Sequence, residues 1–152
     1  MKLRLTLSIL VFISSYGYSQ EMPNELLSIQ MYLAPGKGSL TTTTITKDSV
    51  KYHNLNGYPR RDISFSIPLL AAQWNRLLKS FQIEQFIKIK SDAVNGLDEG
   101  IIITMKFGSY RVSRADPEDV EYKKLAPFFK TIESIQSSLG KAMAKPNPVS
   151  KL

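Results

Sequence analysis

The stretch Ile101-Ile102-Ile103-Thr104-Met105-Lys106-Phe107-Gly108-Ser109-Tyr110-Arg111-Val112-Ser113 decides the fold class. Two β-forming runs flank Gly108-Ser109, a composition suited to the two-residue type II′ turn whose twist matches paired strands. A hairpin closed there pairs Phe107 with Tyr110, Lys106 with Arg111, Met105 with Val112 and Thr104 with Ser113. Strand alternation then puts Ile101, Ile103, Met105, Phe107, Tyr110 and Val112 on one side. Ile102, Thr104, Lys106, Arg111 and Ser113 take the other. A sheet with one dry and one wet face is the antiparallel kind, covered on a single side.

Working outward, Leu27, Ile29, Met31 and Leu33 alternate with Ser28, Gln30 and Tyr32, which predicts a half-buried strand. Pro35-Gly36-Lys37-Gly38 ends it. The β-branched run Thr41, Thr42, Thr43, Thr44 and Thr46 predicts a second strand. Lys47-Asp48-Ser49 turns the chain into a third strand over 50–53, and residues 54–61 are expected to form a loop. Ser66 is the expected N-cap of a helix with Pro68 in its first turn. Leu70, Trp74, Leu77, Leu78 and Phe81 follow at helical spacing, so Trp74 is expected in the core. Lys88 and Lys90, alternating with Ile87 and Ile89, predict a short strand, and residues 91–100 a loop. A last helix over about 119–139 is carried by Leu125, Phe128, Phe129, Ile132, Ile135 and Leu139. Pro127 lies near its start, and Gly140 is its expected stop. The order β-β-β-α-β-β-β-α predicts an α+β fold, an antiparallel β-sheet with two α-helices packed on one face.

The 152 residues suit one folded domain. The chain holds no cysteine and one histidine, His53, which excludes disulfides, thiolate metal sites, a Cys nucleophile and any site built on two imidazoles. No cofactor is expected. The formal charge of +7 points to an acidic partner or surface.

At the N-terminus, Lys2 and Arg4 precede an apolar run over 5–13, and a small, polar segment follows with Gly17 and Ser19 at the −3 and −1 positions. This is the layout of a secretory signal over residues 1–19. The uncharged stretch between Arg4 and Glu21 is short against the ~20 residues of a spanning helix, so membrane contact is expected only through an uncleaved signal. Cleavage leaves Gln20 first and removes two positive charges. Residues 20–140 then form the single α+β domain, and residues 141–152, with Pro146 and Pro148, a disordered basic tail. Export without cysteine points to the periplasm or the exterior of a bacterial cell.

If alternation holds throughout, Lys51, His53, Lys88, Lys90, Lys106 and Arg111 all face away from the helices, with Tyr32 and Phe86 among them. Such a basic face fits an anionic envelope glycan or lipid headgroup, with nucleic acid a weaker fit for an exported chain. The competing reading is a solvated face whose lysines discourage edge-to-edge association.

Other motifs carry less. Asp92, Asp98 and Glu99 share a loop, but Val94 stands two residues after Asp92 and breaks the calcium-loop pattern. His53 has no partner that sequence can place. Ser138-Leu139-Gly140-Lys141 matches S-x-x-K only in form, because it sits at a helix end. Gly36-Lys37-Gly38 is a turn without the rest of a phosphate loop.

Together, the signal ending Tyr18-Ser19-Gln20, the helix with Trp74 and Leu77-Leu78, the Asp/Gly loop before the 101–107 strand and the terminal Leu125, Ile132, Ile135 helix carry a resemblance. The chain resembles the small exported domains of unknown function of Gram-negative envelope proteomes. That resemblance implies fold and export, and transfers no activity to any residue.

The expectation is a non-catalytic exported binding or accessory module that uses its basic sheet face. One alternative is an inhibitor or accessory subunit docking on another exported protein through a sheet edge or face. The other is a hydrolase using Asp92, Asp98 or Glu99.

Overall fold

The computed structural model describes residues 25–56, 60–90 and 98–144. The predicted signal peptide, the part of the tail beyond residue 144, and Asp92 with most of its acidic loop lie outside the described residues. Among the described residues the fold is α+β, with a six-stranded antiparallel open sheet and four helices. In chain order the strands are β1 Leu26–Gly36, β2 Ser39–Thr46, β3 Ser49–Asn56, β4 Arg61–Pro68, β5 Asp98–Met105 and β6 Gly108–Ser113. The helices are α1 Ala71–Ser80, α2 Ile83–Phe86, α3 Val120–Lys124 and α4 Ala126–Met143. The sheet runs β4-β3-β2-β1-β5-β6, so β1 to β4 form a meander and the later hairpin adds to the other side of β1.

Register explains the core. Ile67, Val50, Ile45, Ile29, Ile103 and Tyr110 stand opposite one another across all six strands. The neighbouring inward rung is Phe65, Tyr52, Thr43, Met31, Ile101 and Val112. Onto these rungs pack Trp74 and Leu77 of α1, Phe86 of α2, and Phe128, Ile132, Ile135 and Leu139 of α4. A bulge between Leu26 and Ser28 brings Leu26 inward with Ile29 and turns Leu27 out to solvent.

Several expectations fail, each for a local reason. The 54–61 loop is shorter, because β3 runs to Asn56 and a further strand, β4, starts at Arg61. Ser66 and Pro68 belong to that strand and do not start a helix. Leu70 precedes α1 in extended conformation and its N–H donates to the Gln73 side chain at 3.2 Å. Leu70 and Leu78 consequently face solvent, while Trp74 lies in the core as expected. No strand forms at 87–90. Phe86 and Ile89 are buried three residues apart, the spacing of a helical turn, and Ile87 between them is exposed. The loop before the hairpin ends earlier than expected, since Asp98 to Gly100 already pair in β5.

The hairpin register also differs. Met105 pairs with Gly108, Ile103 with Tyr110 and Ile102 with Arg111, so Lys106-Phe107 is the turn. Neither turn residue takes a positive φ, and the primed turn expected at Gly108-Ser109 is not used. Tyr110 shifts by four residues along its partner strand. An even shift preserves the faces of the paired residues, so Ile101, Ile103, Met105 and Val112 face the helices as expected, while Phe107 and Lys106 leave the two faces for the turn.

The terminal helix is broken at Leu125, with Pro127 in the first turn of α4. It continues through Gly140 to Met143, because Gly140 lies on the exposed side with nothing within 4 Å of its missing Cβ. The tail expected from residue 141 therefore begins as helix. Among the described residues no helix is long and apolar enough to cross a membrane.

The N-cap of α3 gives one testable consequence. Asp119 Oδ1 accepts from the backbone N–H of Glu121 at 2.7 Å and of Tyr122 at 3.2 Å. Loss of surrounding water pushes this carboxyl up. Hydrogen bonds from the Glu121, Tyr122 and Lys90 backbone and the Lys90 charge outweigh that and hold it below its ordinary 3.8. A carboxyl depressed in the folded state stabilises above its unfolded-state pKa, and that stabilisation is lost as pH falls through the folded value. Asp119→Ala is expected to lower Tm at neutral pH, with the gap to wild type closing in strong acid. Thermal melts across pH check this, and an unchanged gap in acid would show that the carboxylate charge contributes nothing.

Candidate functional site: the uncovered sheet face

No described helix packs on the outward side of the sheet. Its central rung reads Ser66, Lys51, Thr44, Gln30, Ile102 and Arg111. The next reads Ser64, His53, Thr42, Tyr32, Gly100 and Ser113. On the other flank, Ser49, Thr46, Ser28, Thr104 and Ser109 complete a polar surface. Covering these groups without replacing their hydrogen bonds would be costly, so the sequence itself keeps this face in water.

Of the residues expected on the face, Lys51, His53 and Arg111 are there. Lys51 is exposed on β3. His53 Nε2 lies 2.7 Å from Asp62 Oδ1 on the edge strand, an ion pair only when the ring is protonated. At these exposures it contributes little to stability.

Arg111 is the most organised cation. Its guanidinium stacks over the Tyr32 ring, 4.8 Å from the centroid. Its Nε donates to Tyr32 Oη at 2.7 Å and to Ser113 Oγ at 3.1 Å. Tyr32 Oη and Ser113 Oγ are themselves 3.0 Å apart. Tyr32 belongs to β1 and Ser113 to β6, with β5 between them. They meet because Gly100, between them in the rung, has no side chain. A Cβ there would stand 2.7 Å from Tyr32 Oη. Gly100 looks like a loop residue from its surroundings, and its role becomes visible only when three strands are placed in register.

Lys88, Lys90 and Lys106 are elsewhere, and their expected position on the sheet face is corrected. Lys88 and Lys90 follow α2 on the helix side, in a cleft of about 460 Å³ lined also by Asp116, Glu118, Asp119, Val120 and Glu121. Carboxylates surround them, so they do not build a positive surface. Lys106 is in the β5–β6 turn, its Nζ 5.7 Å from the Phe107 ring centroid. Phe86 is fully buried in the core. The cross-strand contact expected between Lys106 and Arg111 does not occur, because Ile102 faces Arg111. Glu99 is exposed near the end of the sheet, and Ser138 Oγ donates to its own helix at Ser134 O, 3.0 Å away.

The face thus offers hydrogen-bonding groups, the His53–Asp62 pair and, among the described strand residues, two permanent cations, Lys51 and Arg111. Its two permanent cations lie in one rung on β3 and β6, four strand spacings or about 19 Å apart. Hydroxyls, an amide and the Tyr32 ring lie between and beside them. No protein-family model matches this chain, and no curated protein shows significant sequence similarity to it.

Proposed function

We propose that the chain is an exported, non-catalytic binding module whose uncovered sheet face holds a linear anionic glycan of the cell envelope. The observation that supports this reading is the shared rung of Lys51 and Arg111, joined by Thr44 and Gln30. A polymer lying across the strands from β3 to β6 meets a cation at each end, with the hydrogen-bonding Thr44 and Gln30 and the apolar Ile102 between. The ordered Arg111–Tyr32 stack loses little side-chain freedom on binding, because the arrangement exists beforehand.

The test is retention of the purified protein on immobilised dextran sulfate across a salt series. Binding is expected to fall steeply with salt. Lys51→Glu with Arg111→Glu is expected to weaken it by at least about tenfold, roughly 1.4 kcal/mol. Lys88→Glu with Lys90→Glu makes the same change in net charge on the helix side and is expected to leave binding nearly unaltered. Equal losses in both pairs would reduce the effect to net charge and overturn the assignment to the sheet face. Binding to anionic phospholipid vesicles but not to dextran sulfate would replace the glycan with a membrane surface.

A further inference from the structure

The two edges of the sheet differ in kind. β6 is short, carries Arg111 and ends at Ser113, just before Arg114, whose φ of 45° turns the backbone out of extended conformation. Such features discourage pairing with another chain. β4 has eight residues, and no described backbone group bonds to its outer edge. Between Asp62 and Pro68 it carries no charge, no glycine and no proline.

Its sequence there is Ile63-Ser64-Phe65-Ser66-Ile67, which is the same read in either direction. The three apolar residues face the helix side and the two serines the outward side. Ile63 is 52% exposed, although it belongs to the dry face of the strand. We infer that β4 is a homodimerisation edge, pairing antiparallel with β4 of a second copy about a two-fold axis through Phe65. That register sets Phe65 against Phe65, Ile63 against Ile67 and Ser64 against Ser66 of the second copy. Apolar residues meet apolar and hydroxyls meet hydroxyls, as an isologous interface requires. No like charges face each other, since Asp62 falls opposite Pro68 and Arg61 opposite Leu69. Pro68 limits the length of the added ladder. The occupant is a second copy because the symmetry is in the strand itself, a property that binding a foreign strand does not need.

The outward serines allow a register-specific test by sedimentation equilibrium of the purified protein. Wild type is expected to show a monomer–dimer equilibrium. Ser64→Glu with Ser66→Glu places two like-charge pairs across the axis and is expected to weaken dimerisation by at least about tenfold. On β3 the new carboxylates lie beside His53 and Lys51, so the monomer fold is not expected to suffer. Ser64→Lys with Ser66→Glu sets lysine against glutamate twice and is expected to restore association. Circular dichroism melts confirm folding of each variant, and amide exchange over 63–67 is expected to slow as wild-type concentration rises. A wild type that stays monomeric, a double-Glu variant that still dimerises, or a Lys/Glu variant no better than double Glu would each overturn the proposal. Foreign-strand capture by a monomeric wild type would reassign the edge.

Discussion

Phe128→Ala is expected to destabilise the protein by about 3–5 kcal/mol, the usual cost of emptying a buried phenylalanine site. Phe128 is fully buried near the start of α4. Its ring centroid lies 5.1 Å from that of Phe81 and 5.5 Å from that of Phe129, and Phe81 is 6.1 Å from Phe86. One aromatic cluster therefore joins the end of α1, the short α2 and the long α4. The short helix has little stability of its own and depends on this packing. With no disulfide available, nothing else in the chain compensates for a cavity there. Urea unfolding should show a lower midpoint with an unchanged slope, as befits a less stable form of the same fold. Phe107→Ala is the matched control, because Phe107 is 63% exposed in the β5–β6 turn. It is expected to change stability by no more than about 0.5 kcal/mol. If Phe107→Ala cost as much as Phe128→Ala, the hairpin would be closed at Gly108-Ser109 and the register described above would be wrong.

That pair of substitutions also marks where sequence stops being readable. Long, regular periods were legible: the alternation in β1, the β-branched run of β2, the two faces of the hairpin and the apolar stripe of α4. Short-range signals that compete with one another were not. Ser66 and Pro68 look like the start of a helix, a signal that competes with the strict alternation of residues 63–67 in β4. Gly108-Ser109 has the composition of a hairpin turn, yet Lys106-Phe107 takes that place, which sets Val112 against Ile101 and Tyr110 against Ile103 on the inward side. Lys88 and Lys90 stand in a period of two that lasts only four residues, too few to exclude a helical turn. Of the expected face, Lys51, His53 and Arg111 were readable from alternation alone, whichever partner each strand finds. The Tyr32–Ser113–Arg111 cluster depends on the register of β1, β5 and β6. Tyr32 lies about eighty residues from the other two, beyond any local pattern.

Gly100→Ala tests that cluster directly and is expected to cost about 1–3 kcal/mol, the range for forcing atoms into a packed site. The added Cβ would stand 2.4 Å from the Val112 carbonyl oxygen and 3.0 Å from Ser113 Cα, both backbone atoms of β6. Backbone in a paired strand cannot swing aside as a side-chain tip can, which places the cost toward the upper end of the range. Relief requires β6 to move away from β5, which weakens the ladder that holds Arg111. The same Cβ would stand 2.7 Å from Tyr32 Oη, so the ring must lift from the sheet and release its contacts with Ser113 and Arg111. Gly100→Ala should therefore lower Tm and also weaken dextran sulfate binding several-fold, although it changes no charge. Tyr32→Phe separates the two consequences. It keeps a ring for the Arg111 stack and removes only the hydroxyl, at a net cost of about 1 kcal/mol. If Tyr32→Phe retains binding while Gly100→Ala loses it, the stacked ring and the strand geometry position the guanidinium. If both lose it equally, the hydroxyl bonds do. A Gly100→Ala protein as stable as wild type and bound as tightly would mean that β5 and β6 are not held at this separation, and the ordered cation would no longer set this face apart from an ordinary solvated sheet.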